Sequence, residues 1–174
     1  TKLTGLRVGV LEGFFSNPLT AGVRTAVKSA AQALQNDGAF ISPAEIKSAE
    51  LAPAIQFMTI SVEAATALCE RLRATGDRLG EDVRVRLEMA SFLPGYWYLK
   101  AQKLRRILVD EILELFKRYD ILLCPVMRSE APKVGQTVIT IDGHSYPLHT
   151  AVSNLTLPFN LSGMPAIALP AGRD

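Results

Sequence analysis

Seven apolar residues, Trp97, Ala101, Leu104, Leu108, Ile112, Leu115 and Tyr119, recur on one face of a helical stretch that opens at Pro94-Gly95. Asp120 follows, and then the compact apolar run Ile121-Leu-Leu-Cys124, halted by Pro125. A long amphipathic helix feeding a short run of this kind predicts a buried strand, and with it an α/β fold.

The opening of the chain repeats the theme in reverse order. Leu6-Arg-Val-Gly-Val-Leu11 reads as a buried parallel strand ending at Glu12-Gly13. Asn17 as N-cap and Pro18 in the first turn then predict a helix along Val23, Ala26, Val27, Ala30, Ala33 and Leu34, stopped by Gly38. Phe40 to Ile46 predicts a second strand, which Pro43 places at an edge or bend. Leu51 to Thr75 reads as one long helix closed by Gly76, and Asp82 to Met89 as a short one.

Beyond Pro125, breakers at Pro132, Gly135, Gly143 and Pro147 surround the alternating Thr137-Val-Ile-Thr-Ile141, which predicts loop, hairpin strand and loop. Leu148 to Gly163 predicts a short helix and Ala166-Ile-Ala-Leu169 a further buried strand. At 174 residues, 48% of them hydrophobic and 21% charged, the expectation is one soluble domain over residues 1–174.

Nineteen basic against seventeen acidic residues, a net +2, leave no electrostatic argument for a nucleic-acid partner or an anionic membrane. No apolar run approaches the ~20 residues that span a bilayer, so no membrane is expected. Two cysteines, Cys69 and Cys124, suit a reducing compartment, and the predicted location is cytoplasmic. The chain opens at Thr1 rather than Met and stops at the turn-like Gly172-Arg-Asp174, so the fold is expected to be truncated at both ends.

Chemistry is sparse. The two histidines, His144 and His149, lie five apart in a Gly/Pro-bounded loop near only Asp142, which predicts no metal site. Cys124, flanked by Leu122, Leu123 and Val126, reads as a core thiol rather than a nucleophile beside His149 and Asp142. Gly5, Gly9 and Gly13 lack the G-x-G-x-x-G spacing, so no dinucleotide or other cofactor is expected. Lys100, Lys103, Arg105 and Arg106, followed by Asp110, Glu111 and Glu114, predict a solvated face with a Glu114–Arg118 pair.

Several stretches together resemble the amidase-signature family. Tyr98-Leu-Lys-Ala101, Arg105-Arg106 and Tyr119-Asp-Ile-Leu-Leu-Cys-Pro125 are similar to its long helix entering a central strand, and Ala131-Pro132 to the loop after it. Asn160-Leu-Ser-Gly-Met-Pro-Ala166 with Pro170-Ala-Gly172 is the most specific match. On the residues alone, Asn160 could equally cap a turn, and Gly163 with Pro165 could end a helix.

The resemblance implies the carboxyl-terminal part of an amidase-signature fold, a mixed β-sheet flanked by helices. It implies amide hydrolysis by a Ser-Ser-Lys triad, with backbone N–H groups holding the oxyanion. The serines Ser16, Ser91 and Ser162 are isolated and no glycine-rich elbow is present, so no catalytic residue is assigned to this chain. Ser153, Thr156, Asn160 and Gly163 are expected to line the pocket for a small amide substrate, and this portion alone to be inactive. The tRNA-linked glutamine amidotransferases of the family carry an Asp-Gly-x-Arg-x-Gly stretch and a carboxylate where Ser153 stands. A broad or small-amide hydrolase is therefore preferred, with the amidotransferase or a non-catalytic module as alternatives. Exposed surfaces left by truncation predict self-association.

Overall fold

The computed structural model describes residues 2–172. Strand β1, Arg7–Leu11, is central, with β2, Phe40–Ala44, parallel on one side and β3, Ile121–Leu123, parallel on the other. The register runs Arg7↔Phe40 to Leu11↔Ala44 and Val8↔Ile121 to Val10↔Leu123. Val8 and Leu11 are fully buried, as a β-branched central strand requires. Gly9 lets the layers close: a Cβ there would stand 2.9 Å from Leu122 Cδ2 and 3.0 Å from both Ala44 Cβ and Tyr119 Cδ2. Pro43 falls on the edge strand β2, where its missing N–H costs no ladder bond.

Helix α1, Ala21–Asn36, starts later than Asn17-Pro18 predicted. Its cap is Thr20, whose Oγ1 accepts from Val23 N at 3.5 Å, and the Asn17–Pro18 bond is cis. Tertiary contacts delay the start: Phe15 and Leu19 are drawn into the core, and Arg128 holds the carbonyls of Phe14 and Pro18 at 3.1 Å each.

Helices α2, Ala52–Thr75, and α3, Glu81–Ala90, follow the expected spans within a residue, and α4, Gly95–Phe116, stops three residues before Tyr119. Antiparallel α2 and α4 are linked by Tyr98 Oη donating to Glu63 at 2.9 Å and Gln102 Nε2 donating to Thr59 Oγ1 at 2.9 Å. Ala101, Leu108, Ile112 and Leu115 of α4 join Phe15, Ile46, Ile55 and Leu155 in one core, and Tyr119 joins them just past the helix. Trp97, predicted on that face, is 43% exposed one turn before the core begins.

Glu111 on α4 accepts from Lys47 N at 2.7 Å and Ser48 N at 2.9 Å, capping the 3-10 turn that leads into α2. Burial pushes its carboxyl up, but the hydrogen bonds from the Ser48 side chain and from the Ser48 and Lys47 backbone prevail and leave it below the usual range.

Further expectations do not hold. Among the described residues, the stretch Lys47–Arg78 is long and apolar enough to cross a membrane by length and composition. The sequence had offered no such run because Ala, Thr and Ser dilute its strong apolars while adding little charge. Ala52, Ile55, Thr59 and Ala65 along it are buried, whereas Phe57 and Ile60 are exposed. Glu114 pairs with Lys117 at 2.5 Å rather than with Arg118, because the helix ends at Phe116 and Arg118 turns over the Tyr119 ring.

The remaining strands, β4, Val138–Ile141, and β5, His144–Pro147, form a separate antiparallel hairpin. Parallel and antiparallel pairings thus occupy two sheets of the α/β fold. Asp142 and Gly143, at φ 50° and 78°, make the two-residue turn that its twist demands. α5, Leu148–Ser153, a 3-10 turn over Asn154–Thr156 and α6, Leu157–Ser162, complete one helical run. Ala166 to Leu169, expected as a buried strand, is exposed coil, with Ile167 82% accessible. It has no ladder partner among the described residues, and Pro165 and Pro170 bracket it.

Candidate functional site

In parallel α/β sheets, ligands gather beyond the carboxyl ends of the strands. Here that edge is built from the loops after β1 and β3. Arg128, only 5% exposed, sits in the second loop and grips the first through the Phe14 and Pro18 carbonyls, its guanidinium 5.1 Å from the Phe14 ring centre. Desolvation lowers the pKa of this arginine from its ordinary value. Thr20 closes the contact twice: its N donates to Arg128 O at 2.9 Å and its hydroxyl to Glu130 Oε1 at 2.8 Å.

The same loop carries the α5–α6 run, since Arg128 N donates to Ala151 O at 3.0 Å. Ala151, Leu155, Pro158 and Leu161 form the buried inner stripe of the run, and Phe159 lies 5.7 Å from the Phe15 ring. Ser153, Thr156, Asn160 and Gly163 follow one another at three-, four- and three-residue steps, so they share a second stripe of helical repeat. Ser153 and Thr156 are partly buried, whereas Asn160 and Gly163 are exposed.

No nucleophile emerges from this stripe. The Ser153 hydroxyl donates to His149 O and that of Thr156 to Ser153 O at 2.8 Å, so both protons are held within the run. Asn160 makes no side-chain hydrogen bond among the described residues. Gly163 stops α6 at φ 71°, a left-handed conformation that glycine adopts without strain.

None of the four lines a hollow of about 710 Å³ between α2 and α3 or one of about 390 Å³ around Lys2, Thr4 and Gly38. Cys124, whose thiol burial pushes up to about 12, behaves as the core thiol its neighbours predicted. Among the described residues no cluster of His, Cys, Asp and Glu could hold a metal ion.

Sequence reasoning placed Arg105 on a solvated face. Its Nε instead donates to Leu161 O, at the end of α6, at 2.6 Å, and its Nη1 meets Gln102 Oε1 at 3.5 Å. The signal was present: Arg105 stands four residues after Ala101 and three before Leu108, on the core stripe, whereas Arg106 points outward to Asp110 at 2.9 Å.

The protein-family pattern described as Amidase matches residues 1–174. The chain is 32% identical to AtzE, a component of the 1-carboxybiuret hydrolase of Pseudomonas sp. (strain ADP), with 97% of this chain and 36% of that protein covered. It is 30% identical over 169 aligned residues to an amidase of Pseudomonas putida, again covering 97% of this chain and 36% of that protein. The glutamyl-tRNA(Gln) amidotransferase of Neisseria meningitidis serogroup C (strain 053442) has a component that is 30% identical over 197 aligned residues, covering 98% of this chain and 39% of that protein.

Among solved structures, a chain from an inhibitor-bound protein complex concerning the origins of an s-triazine catabolic enzyme superposes with a TM-score of 0.81 at 31% identity, over 91% of this chain and 34% of that one. A crystal structure of an amidase shares the fold, with a TM-score of 0.85 at 24% identity over 94% of this chain and 37% of that one. The chain thus spans 36% to 39% of the length of these three curated relatives. With a match over its whole length and a backbone that follows the solved amidase, the chain belongs to the Amidase family.

Proposed function

We propose that this chain is the scaffold and pocket wall of an amidase that hydrolyses carboxylic amide C–N bonds, the Ser-Ser-Lys triad lying on polypeptide outside residues 1–174. The observation that carries this reading is the family match over every residue of a chain that contains no paired serines. Ser153, Thr156, Asn160 and Gly163 face a small amide substrate, with backbone and short side chains allowing close approach. The glutamine amidotransferase reading has comparable sequence likeness, but Ser153 stands where a substrate ammonium would need a carboxylate. No cofactor, nucleic acid or membrane is required, and the cytoplasm is the proposed location.

The test is direct. The 174-residue chain, assayed on simple aliphatic and aromatic amides, is expected to give no turnover above buffer. Turnover that survives extensive purification would overturn the placement of the triad.

A further inference from the structure

The α5–α6 run is poorly equipped to hold its own orientation. It consists of two six-residue helices joined by a 3-10 turn, and pieces this short are marginal without tertiary support. Its main chain is tied at its start, where Leu148 N donates to Thr137 O at 2.9 Å, and at two carbonyls further along. Ala151 O receives the backbone N–H of Arg128, and Leu161 O receives the Nε–H of Arg105.

The last of these anchors is a side chain with its own support. Gln102, one turn earlier on α4, meets Arg105 through Oε1 and donates through Nε2 to Thr59 Oγ1 on α2. Thr59 is itself buried. A relay thus runs from α2 through α4 to the last turn of α6. Arg105 forms no ion pair among the described residues, so its charge is available to the carbonyl end of the run.

We infer that Arg105 is the positioning residue of the amide pocket, setting where Asn160 and Gly163 stand by holding the Leu161 carbonyl. The inference rests on the pocket assignment above. Arg105 would act through a main-chain carbonyl. Losing its Nε donor frees the end of α6 while Leu161 remains in the core, so the substrate-facing turn loosens and the helix pair does not.

Amide hydrogen exchange in the 174-residue chain tests this without any substrate. In R105Q, the amides of Gly163 and Met164, which donate to Phe159 O at 3.2 Å and Ser162 Oγ at 3.2 Å, are expected to exchange at least about tenfold faster, with α2 and α4 unchanged. R106Q, which breaks only the exposed pair with Asp110, is expected to change neither amide. R105K keeps the charge and stem but not the Nε donor, and is expected to show the same local effect at smaller amplitude.

Unchanged exchange in R105Q, uniform acceleration across all helices, or loss of folding in both Arg105 variants would overturn the inference. In a full-length protein carrying this chain, R105Q is expected to raise KM for amides at least about tenfold with kcat less affected. A full-length protein inactive on amides would sink the proposed function while leaving the exchange result to stand or fall separately.

Discussion

Gly9 is where β1 passes close to side chains of both flanking strands and to the Tyr119 ring. Replacing it with alanine would bring the new methyl to 2.9 Å from Leu122 Cδ2 and 3.0 Å from the Ala44 methyl and the Tyr119 ring. The Leu122 terminus can swing aside. The tyrosine has less room, because its hydroxyl donates to Pro43 O at 2.8 Å and accepts from Ser42 Oγ at 3.2 Å. Overpacking of this kind costs about 1–3 kcal/mol. The entropy removed from the unfolded chain returns about 0.4–1 kcal/mol, so destabilisation wins. G9A is expected to lower the urea midpoint with an unchanged slope, and an equal or higher midpoint would contradict the close-approach reading.

At the scale of elements, the seam between β1 and β3 is closed by an ionic clasp at its edge. Asp120 accepts from Arg7 N at 2.8 Å, Nε at 3.1 Å and Nη2 at 2.7 Å, and the Arg7 hydrogen bonds hold its carboxyl at about 2. The folded pKa lies below the unfolded one, so the clasp contributes above the ordinary aspartate value near 3.8 and is lost as pH falls through about 2. The pair is exposed and solvent-screened, which makes the contribution small. D120N is expected to melt below the parent at pH 6, with the gap narrowing from pH 4 to pH 2, and a difference that persists unchanged at pH 2 would show that charge is not its cause.

Element types were largely legible because their signals are local. The core stripe of α4, the breakers around the hairpin, and Gly38 and Gly163 past two helix ends each act through a few neighbouring residues. The start of α1 was not, because what decides it is Arg128, more than a hundred residues away in sequence. Ala166 to Leu169 reads as a strand on composition, yet a strand exists only against a neighbour, and none among the described residues is in reach. Ser153, Thr156, Asn160 and Gly163 were singled out through the family resemblance, and the structure adds that they share one stripe of helical repeat. Arg105 looked like one of several surface cations, because its acceptor is a main-chain carbonyl on another helix.

Across the whole molecule, large apolar side chains remain in water. Phe92 is 86% exposed, and Met89, Leu99, Ile107, Ile167 and Leu169 are also mostly uncovered. β2 and β3 each have an open edge within the described sheet. Such surface favours association once concentration allows. Sedimentation velocity is therefore expected to show a weight-average mass that rises with concentration, and a strictly monomeric species across the accessible range would refute self-association through these faces.

By itself the sequence determined the alternation of helix and strand, the absence of a paired-serine nucleophile within these residues, and the family. Periodicity, breakers and motif spacing are properties of neighbours along the chain. Only the tertiary structure decided which loop holds which helix, through Arg128 beneath α5 and Arg105 at the end of α6. Those bonds join a side chain or a backbone N–H to a carbonyl far away in sequence, and every residue presents the same carbonyl, so nothing in the order of residues marks the one that is used.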